Sequence, residues 1–367
     1  MAKSGIPYSI DDVTPDWLTA SLTGAGTIGG ARITSFDLVP VEGGSGLFGT
    51  VKRLTPTYEP LSNGAPASMI VKIPTAEKAA RDIGGAFRLY EREVHFYRHL
   101  AERIPMPTPH CLAAEMAPES GRFALLLEDL SDRRLGDQLA GWSDADADIA
   151  VEQLARLHAA YWDETGIGEQ DWLPAANAPT LLGLVHGAYQ QSWQPFTAHF
   201  GDHLPPRLLS AGEALCERLP DLADKLAAPP RTLVHGDYRM DNMIFGNGPG
   251  EAPLTIIDWQ LVARARGAFD LAYFLAQGGD PERRKACEMR LLRSYHELLQ
   301  AHGVTGYDFD QLFLDYRASI LYGLVYIVIS VGSLVNADER MHQLFATALE
   351  RTVTAIMELD AIELLPA

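Results

Sequence analysis

The octapeptide His235–Asn242, HGDYRMDN, followed by Asp258 in the run LTIIDWQ, constrains this chain more than any other stretch. It sets an aspartate, an asparagine five residues on and a second, strand-borne aspartate inside an apolar run. Thr232–Val234, Met243–Phe245 and residues 254–257 are apolar β-type runs, so a strand-loop-strand hairpin and a following strand aim Asp237, Asn242 and Asp258 at one cleft. Three oxygen-bearing groups converging in that way suit phosphoryl transfer. The first aspartate orients an attacking hydroxyl and accepts its proton, while Asn242 and Asp258 hold Mg²⁺ ions that bridge ATP phosphates. His, Asp and Asn are also ordinary turn residues, and NGPG at Asn247–Gly250 is turn chemistry. The joint spacing is what separates the two readings.

Such chemistry requires a phosphate-covering glycine loop, a strand lysine and a helix glutamate upstream, in that order. Gly44, Gly46, Gly49 and Val51 fit G-x-G-x-x-G-x-V, in which absent side chains let backbone N–H groups approach phosphates and the valine packs on the nucleotide. A dinucleotide-binding domain would place a helix straight after the glycines and an acidic residue about 20 positions on. Here residues 50–54 continue as a strand, and a Pro/Gly/Asn-rich loop over 55–67 leads to another strand, residues 68–73, carrying Lys72. A lysine in MIVKIP would be costly to bury without a carboxylate or phosphate partner. The partner is expected on a helix running from about Glu77 to Arg103. At about 100° per residue, Glu93 shares a face with Tyr97 and Leu100, whereas Glu91 lies with Val94 and His95. Glu93 is selected, with Glu91 as the alternative.

The chain has 367 residues, enough for two substantial cores. Prolines at 105–109 end the glutamate helix, and a strand over 122–128 runs into Asp129 and Leu130, a natural hinge. The division expected is a nucleotide-binding lobe over 1–128 and a catalytic, acceptor-binding lobe over 129–367. Backbone groups at Glu128 and Leu130 are expected to meet adenine. Beyond the hinge, apolar periodicity over 149–162 and 286–299 reads as helix. The fold class is therefore α+β, a bilobal protein-kinase-like arrangement with an antiparallel-sheet N-lobe and a mainly helical C-lobe.

With these residues in place, the chain resembles the aminoglycoside phosphotransferase and choline kinase superfamily, and most closely its ecdysteroid-kinase-like branch. The likeness is carried by LLLEDL at 125–130, LARLHAAYW at 154–162, HGDYRMDN, IDWQ and DLAYFL at 270–275. It implies ATP-dependent phosphorylation of a small molecule's hydroxyl, with Asp237 as base, Asn242 and Asp258 as metal ligands, and Asp270 bracing the catalytic loop. Gln260 and the pair Tyr238-Arg239 depart from choline kinases and aminoglycoside enzymes, so their substrate sites do not transfer.

A net charge of -18 and a pI near 5.0 disfavour nucleic-acid binding, which needs clustered Lys and Arg. Cys111, Cys216 and Cys287 are far apart without C-x-x-C, which suggests neither zinc nor a disulfide framework and fits a reducing cytoplasm. The start, MAKSGIPYSIDD, lacks the apolar core of a signal peptide. Residues 318–337 carry no charge and approach the roughly 20 residues that span a bilayer. Tyr322, Tyr326, Ser330, Gly332 and Ser333 interrupt them, so a buried helix is expected rather than a membrane span, one that lines an apolar acceptor pocket. The leading function is an ATP- and Mg²⁺-dependent kinase of a small, lipophilic alcohol. Alternatives are an aminoglycoside or hydroxyacyl-CoA kinase and a nucleotide-binding pseudokinase; a protein kinase is disfavoured because neither D-F-G nor A-P-E follows. Oligomeric state is left open.

Overall fold

The computed structural model describes residues 5–45, 47–60, 64–167, 170–331 and 338–365. Two compact units divide the chain: Met1–Arg134 with Thr255–Leu261, and Leu135–Leu254 with Val262–Ala367.

In the first unit, α1 (Pro15–Gly24) starts at Thr14, whose hydroxyl caps the Trp17 N–H. Strands β1 (Arg32–Ser45), β2 (Gly49–Glu59) and β3 (Met69–Pro74) follow, then α2 (Lys78–Ala86), α3 (Leu89–His99), β4 (Cys111–Ala117) and β5 (Arg122–Glu128). The strands form one antiparallel sheet in the order β1-β2-β3-β5-β4. Strand periodicity sorts the side chains of β3 by face. Met69, Val71 and Ile73 join Trp17, Leu18 and Leu22 of α1 in a dry core, with Leu54, Leu112 and Leu126. Lys72, out of phase with them, therefore points away from that core.

Two details differ from the sequence-based expectation. The strand after the glycines runs on to Glu59 rather than ending near residue 54, because its alternating exposed and half-buried residues pair with β1 as far as Glu59 opposite Arg32. The single helix expected over 77–103 is two. Gly84 and Gly85 weaken helical propensity, and Arg88 adopts a left-handed backbone, φ 54°, so the chain restarts as α3 at Leu89.

The second unit begins with the end of the short strand β6 (Arg134–Leu135) and is mainly helical: α4 (Asp144–Ala160), α5 (Pro179–Phe200) and α6 (Pro206–Ala227) precede β7 (Thr232–Val234) and β8 (Met243–Phe245). After β9 (Leu254–Ile256) come β10 (Ala263–Ala265), α7 (Ala268–Gly278), α8 (Pro281–Ala301), α9 (Phe309–Ser330) and α10 (Glu339–Glu358). The strands flanking the HGD loop are where expected, but β7 pairs antiparallel with β10, Val234 opposite Ala263, and not with β8. The α9 helix packs against α5, α6, α7, α8 and α10. By length and apolarity it is the one described helix that passes as a bilayer span, yet 72% of that stretch is buried inside the protein. It is the core helix the sequence suggested; residues 332–337 of the uncharged run lie outside the described residues.

Candidate functional site

The first unit builds a buried charge cluster around one lysine. Lys72 Nζ donates to Glu93 Oε1 of α3 at 2.8 Å and to Asp258 Oδ1 at 2.7 Å, with only 9% of the lysine side chain and 1% of the glutamate exposed. Glu91, the alternative, is spent on Arg88 at its own helix start. Burial pulls the Lys72 pKa down, but the Asp258 and Glu93 carboxylates outweigh it and hold the ammonium above its ordinary range. Burial dominates at Glu93 and pushes its carboxyl up to about 7, against the opposing pull of Lys72. Glu93 Oε2 is buried without a hydrogen-bond partner.

Asp258 lies two residues past β9 rather than in a strand, in a left-handed conformation with φ 66°. Aspartate tolerates that region better than most residues. Its neighbours fix it: Trp259 stacks on Phe96 of α3 with centroids 4.0 Å apart and donates to Ile256 O at 3.1 Å. Of the glycine motif, Gly44 is the last residue but one of β1 and Gly49 opens β2, while Gly46 lies outside the described residues. Val51 sits directly opposite Lys72 in the sheet, and a Cβ at Gly49 would meet Lys72 Cε at 3.2 Å. Glu128 ends β5, donates its N–H to His110 O at 2.9 Å, and lines a cavity of about 400 Å³ with Met106, His110 and Cys111. Leu130 is buried, and its carbonyl accepts the Arg133 N–H at 3.0 Å.

The second unit holds Asp237 and Asn242. Asn242 Nδ2 donates both to the main-chain carbonyl of Asp237 and to its Oδ2, each at 2.9 Å, which leaves the amide oxygen as the group able to face a cation. Arg239 Nε donates to the same Asp237 oxygen at 3.2 Å, and Tyr273 of α7 lies close enough for the carboxylate to act on its phenol. The loop is anchored from below. Asp270 accepts the N–H groups of His235 and Gly236 at 2.6 and 2.9 Å and lies 3.4 Å from His158 Nε2, whose Nδ1 is 2.7 Å from Tyr295 Oη. Tyr238 Oη donates to Ala150 O, and the Met240 N–H donates to Gln138 Oε1, both at 2.9 Å. Arg351 of α10 in turn donates to the carbonyls of Gln138, Leu139 and Gln277.

Residues 44–304 match the ecdysteroid kinase-like family. The chain belongs to that family. It is also 26% identical over 322 residues to an uncharacterized kinase-like protein of Caenorhabditis elegans, covering 79% of this chain and 84% of that one. Among solved structures, a putative aminoglycoside phosphotransferase from Ralstonia eutropha superposes with a TM-score of 0.55 at 17% identity, over 96% of this chain and 99% of the other. The GDP and kanamycin complex of an APH(2″) enzyme gives 0.54 at 13% identity, over 94% and 99%. At these identities the structures speak to fold, and the fold is kinase-like: an antiparallel sheet in the N-terminal region and a helical C-terminal portion.

Within this ecdysteroid kinase-like chain, sequence reasoning missed Gln138 and Tyr273. Gln138 joins the loop to α7 and α10 through contacts more than one hundred residues away, which no local pattern encodes. Tyr273 did carry a signal: it is the tyrosine of DLAYFL, one helical turn after Asp270.

The donor set suits a nucleotide with Mg²⁺. In the first unit an ammonium held between two carboxylates, one of them Asp258 in a left-handed turn, and in the second unit an asparagine with its amide oxygen spare, are oxygen and charge groups of the kind that phosphates and a hard cation require. Among the described residues no three His, Cys, Asp or Glu side chains form a metal site by themselves.

Proposed function

We propose that this protein is an ATP-dependent phosphotransferase acting on a hydroxyl group of a small, lipophilic molecule. The observation that carries this is Asp237, a buried carboxylate positioned by Asn242 and Arg239 on a loop anchored by Asp270. Bound Mg·ATP would supply the phosphoryl group and neutralise charge on its oxygens. Asp237 orients the acceptor hydroxyl and takes its proton. Lys72, held by Glu93, grips phosphate; Asn242 and Asp258 are the metal ligands. Gly44, Gly46 and Gly49 present main-chain N–H groups, Val51 packs on the base, and the main chain at Glu128 and Leu130 meets adenine. In this reading the nucleotide belongs to the first unit and the acceptor to the second.

The preference for an apolar acceptor is supported by where the C-terminal carboxylates are spent. Glu288 is engaged by Arg284 and Tyr316, each at 2.6 Å, and Asp315 by Arg266, Tyr307 and Gln311. Both therefore lie in internal networks, whereas a polycationic acceptor would need such groups for itself. An apolar alcohol gains about 25 cal/mol per Å² of surface it buries.

An ATP-consumption screen over hydrophobic alcohols, choline, hydroxy acids, their CoA esters and aminoglycosides, with products identified by mass spectrometry, tests this. Apolar alcohols are expected to give the highest kcat/KM. Asp237→Asn is expected to lower turnover by roughly 10²- to 10⁴-fold with Mg·ATP affinity nearly intact. Near-wild-type turnover in that variant removes Asp237 from the role of base.

A further inference from the structure

Two adjacent helices bring four aromatic rings into one cluster, and one of the four, Tyr273, neighbours Asp237. Phe269 and Tyr273 stand one turn apart on α7, and Tyr322 and Tyr326 one turn apart on α9. They meet edge to face throughout: Tyr273 with Tyr326 at 5.9 Å and 88°, Tyr322 with Tyr326 at 5.9 Å and 80°, and Phe269 with Tyr322 and Tyr326 at 5.9 and 6.0 Å. Phe269 and Tyr322 are buried, while Tyr273 and Tyr326 keep part of their surface accessible. Tyr273, one of the two accessible rings, is also the one that neighbours Asp237, whose carboxylate acts on its phenol. Burial, and then the nearby Asp237 carboxylate, keep the Tyr273 phenol well above its ordinary pKa, so it remains a donor.

We propose that Tyr273 and Tyr326 form a ring-binding subsite for the acceptor, and that the acceptor carries its hydroxyl on, or one carbon from, an aromatic ring. This rests on the phosphotransferase reading above and names the class of alcohol it takes. A herringbone of perpendicular rings is extended most favourably by another flat π system, whose positive edge meets a negative face. A saturated ring of the same size buries similar apolar area but lacks that quadrupole. With Tyr273 beside Asp237, a ring packed on Tyr273 and Tyr326 turns its own hydroxyl toward the base. Tyr273 and Tyr326 then determine specificity by shape and π character rather than by charge.

The test compares matched acceptors, 2-naphthylmethanol and its fully saturated decalin analogue, by binding to the nucleotide-free protein and by phosphoryl transfer with Mg·ATP. The wild type is expected to bind the aromatic alcohol roughly 2- to 10-fold more tightly, the range for one added edge-to-face pair. Tyr326→Phe is expected to keep that preference and Tyr326→Leu to abolish it, with melting temperature recorded to confirm folding. Equal or tighter binding of the saturated alcohol by the wild type overturns the proposal even if no variant folds, and so does a preference that survives in folded Tyr326→Leu. An aromatic preference in binding, lost in Tyr326→Leu, with no phosphoryl transfer to any alcohol, would uphold the subsite and refute the phosphotransferase reading. Phosphoryl transfer without aromatic preference would do the reverse.

Discussion

The fully buried carboxylate of Asp270 accepts the main-chain N–H of Gly236 at 2.9 Å through one oxygen, while its other oxygen takes the His235 N–H at 2.6 Å. One side chain from α7 thus sets the backbone of the loop that carries Asp237. The charge matters because both donors are removed from water, where a hydrogen bond to an ionised acceptor is worth about twice a neutral one.

Asp270→Asn should therefore be costly although it is nearly isosteric. The amide accepts at one oxygen only, and its NH₂ group would face a main-chain N–H. A loss of about 2 to 4 kcal/mol in urea unfolding is expected, together with reduced turnover and little change in Mg·ATP affinity. Wild-type stability in the variant would show that the loop does not depend on this carboxylate.

Glu93 makes a pH prediction with a definite sign. Burial raises its carboxyl from 4.5 to about 7, so the folded protein binds that proton more tightly than the unfolded chain. The stability it contributes is fully present below about 4.5 and is lost as pH rises through about 7, a change of at most about 3 kcal/mol. Glu93→Gln should flatten the curve of unfolding free energy over that window. Identical slopes for the variant and wild type would remove Glu93 as their source.

Much of this was legible in the sequence, for reasons that can be located. Lys72 stood out because a charge in MIVKIP breaks an apolar strand, and the two-residue period places it opposite the face formed by Met69, Val71 and Ile73. The helical period distinguished Glu93 from Glu91, and the two do have different partners. What escaped was of two kinds. The pairing of β7 with β10 rests on three residues, Ala263–Ala265, too short and too alanine-rich to register as a strand. The helix break at Arg88 depends on one left-handed residue, a conformation arginine shows no sequence preference for. Gln138 acts across long separations, where local periodicity carries no information, whereas Tyr273 sat in DLAYFL one turn after Asp270 and could have been found.

Asp258 needs a substitution that respects its backbone. Its φ of 66° would strain alanine, so Asp258→Ala would mix a folding defect with loss of the carboxylate. Asparagine tolerates the left-handed region and keeps the volume. Asp258→Asn, which takes one of two carboxylates from the buried Lys72, should melt below wild type in the absence of ligand and should also lose the magnesium-dependent part of its stabilisation by ATP. A thermal-shift titration with and without Mg²⁺ checks this, and an unchanged magnesium increment would contradict the assignment of Asp258 as a metal ligand.

Gly136 offers a way to move the catalytic loop without altering any of its residues. A Cβ at this position would lie 2.3 Å from the main-chain oxygen of Met240 and 3.0 Å from its carbonyl carbon. Neither side can give way easily, because Gly136 donates its N–H to Met243 O at 2.8 Å and the Met240 N–H is held by Gln138. Gly136→Ala must therefore push the segment between Asp237 and Asn242, at a cost of about 1 to 3 kcal/mol, the usual range for overpacking. Displacing reacting groups by about 1 Å can lower turnover by roughly 10²-fold, so the larger effect should appear in kcat, with Mg·ATP affinity preserved. Gly248→Ala is the control: no atom lies within 4 Å of its Cβ, and a change within about 0.5 kcal/mol is expected. Chemical unfolding and steady-state kinetics on the two variants decide the matter. Equal behaviour of Gly136→Ala and Gly248→Ala would mean that the loop accommodates the methyl group and that its close packing against Gly136 does not position Asp237.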